Sequence, residues 1–205
     1  STPLYSSAAS DVYKRQPWLE KTMTNLDNAL VKLLSESLSD ILVGSGRVGI
    51  CTPAEPGDFL LGLYLYNIRP CTDINPPSVI RKGSSFQELS PHFLTLYYLV
   101  TAYSRADGVY KTAEDHRILF RAIQTFQNMP VLTERELGYR PGTYIDKLQV
   151  QMVDLEPDEI ANIWMFRESE YRLSVAYKIT PVEVSAEAGS FVTRVSDTNF
   201  KGIQR

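Results

Sequence analysis

The sequence predicts an α/β (α+β) fold: a single domain with a central mixed, largely antiparallel sheet, about three flanking helices and extended termini. Three observations predict it. Apolar residues recur at helical spacing through Leu26, Ala29, Leu30, Leu33, Leu34, Leu38, Ile41 and Leu42. Lys147–Val153 and Tyr171–Thr180 alternate apolar with polar or small residues, the period of a strand. Between that helix and those strands lie two apolar runs, FLLGLYLYNI at 59–68 and FLTLYYLVTAY at 93–103, rich in aromatic and β-branched residues. A chain of 205 residues with 43% hydrophobic content suits one domain, which buries roughly 70% of its unfolded surface.

The opening stretch STPLYSSAASDVYKRQ is Ser/Ala-rich and has no periodic apolar face. Residues 1–22 are therefore expected to be disordered or extraneous to the domain, with Met23 as the native start. The domain proper is expected at 23–185. Thr24 and Asp27 form a capping-box-like pair at the start of the first helix, and Gly44 and Gly46 stop it. Val48–Thr52 reads as a short strand before a turn at Pro53–Gly57. Phe59–Ile68, apolar on both faces, reads as a central strand. Cys71–Pro91, with Pro76–Pro77 and Arg81–Lys82–Gly83, reads as a long loop of the kind that contacts a partner. Phe93–Tyr103 is ambiguous by period, but its composition favours a strand. Ala113–Asn128 is a helix with Ile118, Leu119, Ala122, Ile123 and Phe126 facing inward, ended by Pro130. Tyr139–Thr143 is a turn, and Lys147–Val153 a strand with Leu148, Val150 and Met152 on one side.

The stretch Leu155–Ser185 completes the domain. Pro157 suits the first helical position, and Asp158 and Glu159 sit against the positive end of the helix dipole. Leu155 and Ile160 are spaced to staple the start of this helix, and Ile160, Ile163, Trp164 and Phe166 give it an apolar side. After Glu170 the period changes. Tyr171, Leu173, Val175, Tyr177 and Ile179 mark the buried face of a strand complete by about Val184. Residues 186–205 then form a C-terminal arm, where Phe191, Val192, Val195 and Phe200 punctuate a polar segment. Spaced apolar anchors on an extended piece suit strand addition to a neighbour's sheet edge.

Composition excludes several function classes. The formal charge of −3, with both signs interspersed, gives no basic surface for nucleic acid. No apolar run approaches the ~20 residues of a membrane span, and no secretory signal is evident. The two cysteines, Cys51 and Cys71, read as free thiols.

Catalytic and cofactor motifs fail on context. Gly44–Gly49 (GSGRVG) fits the dinucleotide fingerprint by letter, but it follows a helix and leads into a Pro-bounded extended segment. That fingerprint needs a preceding strand and a following helix, so the stretch reads as a turn and no cofactor is expected. Cys51, Cys71, His92 and His116 lack metal-ligand spacing, so no metal site is expected. The carboxylates Asp154, Glu156, Asp158 and Glu159 are explained as cap and dipole support for one helix. Arg81 and Lys82 lack the glycine run of a phosphate loop and are read as candidate partner-contact residues, with Phe191, Val192, Val195 and Phe200. The chain does not read as an enzyme.

Four segments, in order, resemble the cap, or tail-terminator, family of contractile phage-tail-like injection systems. They are LDNALVKLLSESL, LYLYNIRPCTDINPP, LTLYYLVTAYSRADGVYKTAEDHRILFRAIQTFQNMPVL, and EIANIWMF followed by YRLSVAYKITPVEV. The resemblance spans Asn25 to Val184 and rests on core patterns, so it transfers no catalytic residue. It implies a homo-oligomeric ring, a hexamer, seated on the last inner-tube layer and the last sheath layer. Such a ring ends polymerisation and holds the sheath extended. It also implies assembly in the bacterial cytoplasm into a particle that leaves the cell in some systems. Two other readings stay open at this point: a tail-completion protein of a contractile phage, and a small-molecule-binding domain or hydrolase with residues 71–91 as its lid.

Overall fold

The computed structural model describes residues 17–42, 44, 46–76, 79–82, 86–165, 170–185 and 189–191. Its first element, α1 (Pro17–Ser37), carries the predicted apolar stripe. Leu26, Leu30, Leu34 and Leu38 are fully buried, with Ala29, Leu33 and Leu42 nearly so. The helix begins upstream of Thr24, so Asp27 lies inside it and caps nothing. Its Oδ1 instead accepts the Tyr98 hydroxyl at 2.7 Å. Beyond Ser37 the chain stays coiled, Leu42 donating its N–H to the Leu38 carbonyl at 2.8 Å. Gly44 and Gly46 then take φ of 97° and 71°, which only glycine adopts without strain, and the helical path ends there.

Six strands form the main sheet, in the order β1-β2-β5-β8-β7-β6. They are β1 (Val48–Ile50), β2 (Leu61–Pro70), β5 (His92–Ala102), β6 (Val131–Thr133), β7 (Lys147–Val153) and β8 (Ser174–Val184). β1 runs parallel to β2 and the other pairings are antiparallel, giving the predicted mixed, largely antiparallel sheet. The two apolar runs become β2 and β5, paired from Leu61↔Ala102 to Pro70↔Leu94. β2 lies one strand from the edge, and only Leu61–Leu63 are buried at its start.

Strand alternation sorts side chains between two cores. Tyr98, Val100, Tyr177 and Ile179 face α1 and α2 (Val109–Asn128), together with Ile118, Leu119, Ala122 and Phe126 of α2. The Phe126 and Tyr177 rings lie 4.6 Å apart. Their strand neighbours Leu99 and Ala176 face the other way, under Trp164 of α4 (Pro157–Trp164). Leu155, Ile160 and Ile163 pack around that smaller cluster, as the staple and apolar side predicted. Pro157 stands at the start of α4 as expected, and Glu156 and Glu159 form a reciprocal capping box there. Phe166 lies outside the described residues.

Several expectations need correction. The Cys71–Pro91 segment is not one loop, because it contains β3 (Val79–Lys82) and β4 (Phe86–Leu89), an antiparallel hairpin. The arm contributes β9 (Gly189–Phe191), which pairs with β4 of the same chain to complete a second, three-stranded sheet. Met152 lies on the same side as Leu148 and Val150, opposite Tyr177, but is 55% exposed, because the core beneath β7 ends before it. Tyr171 and Leu173 precede β8 and are exposed; burial in this strand begins at Ala176. A fourth helix, α3 (Glu134–Leu137), was not anticipated; Thr133 and Glu136 cap it reciprocally.

Candidate interaction surfaces

The three-stranded sheet grows out of the centre of the main one. β4 runs into β5 through Ser90–Pro91, and β8 runs toward β9. The β5–β8 pair ends at His92↔Val184, and pairing resumes at Glu88↔Gly189. The ribbon therefore continues the central pair across a break, where Pro91 has no N–H to give a ladder. β3 adds the third strand. Lys82 is registered with Phe86, and Phe86 with Phe191, so these three residues form one row at the hairpin's turn end. Arg81 occupies the next row, opposite Gln87.

The candidate partner-contact residues Arg81, Lys82 and Phe191 are thus brought onto one small sheet, although 109 positions separate Lys82 from Phe191 in sequence. Val192, Val195 and Phe200 lie outside the described residues. The described part of the arm, β9, adds to this chain's own hairpin.

The residues weighed for chemistry remain dispersed. Cys71 is buried and accepts a hydrogen bond from the Thr180 hydroxyl at 3.4 Å. Cys51 is half-buried on the far side of β2, and burial pushes its thiol pKa up to about 11. His116 lies on the outside of α2, edge-on to Phe120. Among the described residues no three His, Cys, Asp or Glu side chains come together as a metal site. The GSGRVG stretch is a turn leading into β1, and Gly49 is there for packing: a Cβ on it would meet the Phe59 ring at 2.2 Å. Asp154 and Asp158 stay exposed, and Glu159 reaches Arg69 at 4.0 Å.

Polar groups that sequence reading missed are buried and structural. Glu183 is 3% exposed, and its Oε2 accepts the Tyr144 N–H at 2.8 Å, tying the segment before β7 to the end of β8. Gly142 makes room for that carboxylate, since a Cβ there would meet Oε2 at 2.2 Å. Ser104 donates its N–H to Asp115 at 2.7 Å and its hydroxyl to Glu114, anchoring the start of α2. Nothing in the spacing of these residues signals the contacts, which arise between distant elements. No helix among the described residues is long and apolar enough to cross a membrane.

The solved structures that resemble this fold include two terminators. One is the sheath/tube terminator, in the extended state, of the extracellular contractile injection system PVC, at 16% identity and TM-score 0.53. The match covers 86% of this chain and 63% of that one. The other is the tube-terminating cap of the anti-feeding prophage, at 17% identity and TM-score 0.51, covering 86% and 60%. This chain therefore spans a little under two thirds of the length of either. No curated protein matches it in sequence. The Pvc16 N-terminal domain family matches residues 25–196, nearly the whole span of the domain and the start of its arm. The chain belongs to the Pvc16 N-terminal domain family.

Proposed function

We propose that this protein is a structural cap of a contractile injection system, closing the end of the inner tube and the sheath. The observation that carries the reading is the family match over 25–196, supported by a fold shared with a sheath/tube terminator and a tube-terminating cap. The protein acts as a homo-oligomeric ring, a hexamer, on the last tube and sheath layers. It halts addition of further subunits and holds the sheath extended. It needs neither catalysis nor a cofactor, because its work is to satisfy the contacts of a terminal layer. The ring is assembled in the bacterial cytoplasm and leaves with the particle.

The sheath contact is assigned to the β3-β4-β9 ribbon and the residues after it: Arg81, Lys82, Phe191, Val192, Val195 and Phe200. An edge strand offers unpaired main-chain groups, and β3 and β9 are both edges of this ribbon. Electron microscopy of particles from a strain lacking this gene tests the reading. Tubes and sheaths should be absent, of uncontrolled length, or already contracted. Extended particles of normal length would overturn it.

A further inference from the structure

Two apolar surfaces lie on opposite faces of the main sheet. The first is the outer side of α2. Ile118, Leu119, Ala122 and Phe126 point into the core, and the reverse side carries Val109, Tyr110 and Phe120, which are 90%, 77% and 66% exposed. Helical spacing places Val109, Ala113 and Phe120 in one outward stripe, flanked by His116 and Arg117. The second surface is a groove of about 200 Å³ beneath α4, with room for one large side chain. Leu99, Val153, Ile160, Ile163, Trp164 and Ala176 line it, and the exposed Tyr171 stands at its mouth.

Charge distinguishes the two. On the outer side of α2, Arg117 is exposed and has no ion-pair partner among the described residues. The acidic residues of that helix are engaged elsewhere, Glu114 and Asp115 by Ser104. The groove is rimmed by Asp154, with Asp158 exposed on α4 beside it and neither paired among the described residues. A basic apolar ridge and an acidic apolar groove are complementary, and no single copy can join them across its own sheet.

We propose that the outer face of α2 on one copy docks into the groove under α4 of a second copy, with Phe120 as the anchor. A contact between two different patches is head-to-tail and closes into a ring when the rotation allows. This deepens the cap reading, on which the ring rests, by naming the contact between subunits.

The test uses the full chain and two acidic substitutions at exposed positions, Phe120→Asp and Tyr171→Asp, with Asp154→Lys as a second groove variant should Tyr171→Asp fail to fold. Analytical ultracentrifugation should find the wild-type chain associating with rising concentration. Each variant alone should associate about thirtyfold more weakly or not at all, the loss expected at an anchor. Mixed in equal amounts, they should form a two-chain species, because each supplies the surface the other lacks. Wild-type mass retained by Phe120→Asp would overturn the proposal. So would a wild-type chain that stays monomeric, a mixture that stays monomeric, or a groove variant that associates as wild type does, the result of a two-fold contact of α2 on α2. The cap reading stands or falls separately, on particle length and extension in the deletion strain.

Discussion

Tyr98, in the middle of β5, donates its hydroxyl to the Asp27 carboxylate of α1 at 2.7 Å, joining the central strand to the first helix. Burial raises the Asp27 pKa above its ordinary 3.8, and the Tyr98 bond opposes that rise without cancelling it. Burial, together with the Asp27 charge, pushes the Tyr98 hydroxyl far up, so it remains a donor throughout.

With a folded-state pKa above 3.8, Asp27 holds its proton more tightly folded than unfolded. Its contribution to stability is fully present below the unfolded value and is lost as pH rises through the folded one. Asp27→Asn keeps an acceptor for Tyr98 but has no charge to bury. It should be more stable than wild type at neutral pH, and the gain should vanish below about pH 4. Tyr98→Phe should cost about 1.5 kcal/mol at pH 7. Urea titrations at both pH values measure each effect; a pH-independent difference for Asp27→Asn would contradict the assignment.

Trp164 should prove a structural residue. It is 9% exposed, packs on Leu99 and Ala176, and meets Tyr171 edge-on at 5.8 Å between ring centres. Truncation to Ala empties the centre of the smaller core and should cost about 3 kcal/mol. Thermal melting checks this, and a variant that melts within a degree or two of wild type would show that α4 does not hold the sheet.

Cys51 should react slowly. Its pKa of about 11, against an ordinary 9.0, leaves about a hundredfold less thiolate at neutral pH than an unperturbed cysteine, and the thiolate is the nucleophile. Iodoacetamide labelling followed by mass spectrometry should find the rate still climbing past about pH 10, where an unperturbed thiol levels off. A plateau near about pH 10 would mean that the thiol is not held up by burial.

These contacts mark how far the sequence could be read. The helical stripe from Leu26 to Leu42 and the strand β7 were legible because each has one buried face, and periodicity reports a single burial direction. Strand β5, buried on both faces, was legible only through its aromatic and β-branched composition. The hairpin β3-β4 was not legible. Its strands are four residues each, too short to establish a period, and the prolines before them read as loop. Helix α3 carried a signal that was overlooked, the Thr133-x-x-Glu136 capping box. Met152 failed for a different reason: strand period predicts the side of the sheet, and the length of the core beneath decides which residues on that side are covered. For the candidate contact residues, sequence supplied the types, while the pairing of β9 with β4 that brings Phe191 level with Lys82 is set by topology alone.

That pairing allows the arm to be dissected. A chain ending at Ser185 lacks β9 and leaves β4 as a bare edge beside β3. A chain ending at Phe191 keeps the three-stranded ribbon and loses only residues 192–205. Neither cut removes a described residue of the six-stranded sheet or its two cores, so both chains should melt as wild type does. If the ribbon is the sheath contact, the chain ending at Phe191 retains part of its co-sedimentation with extended sheath and the chain ending at Ser185 retains none. If Val192, Val195 and Phe200 are the anchors, both truncations lose co-sedimentation alike, because the three residues of β9 cannot replace the side chains that follow. Full co-sedimentation by the Ser185 chain would remove the arm from the interface and leave Arg81 and Lys82 of β3 as the residues to substitute next.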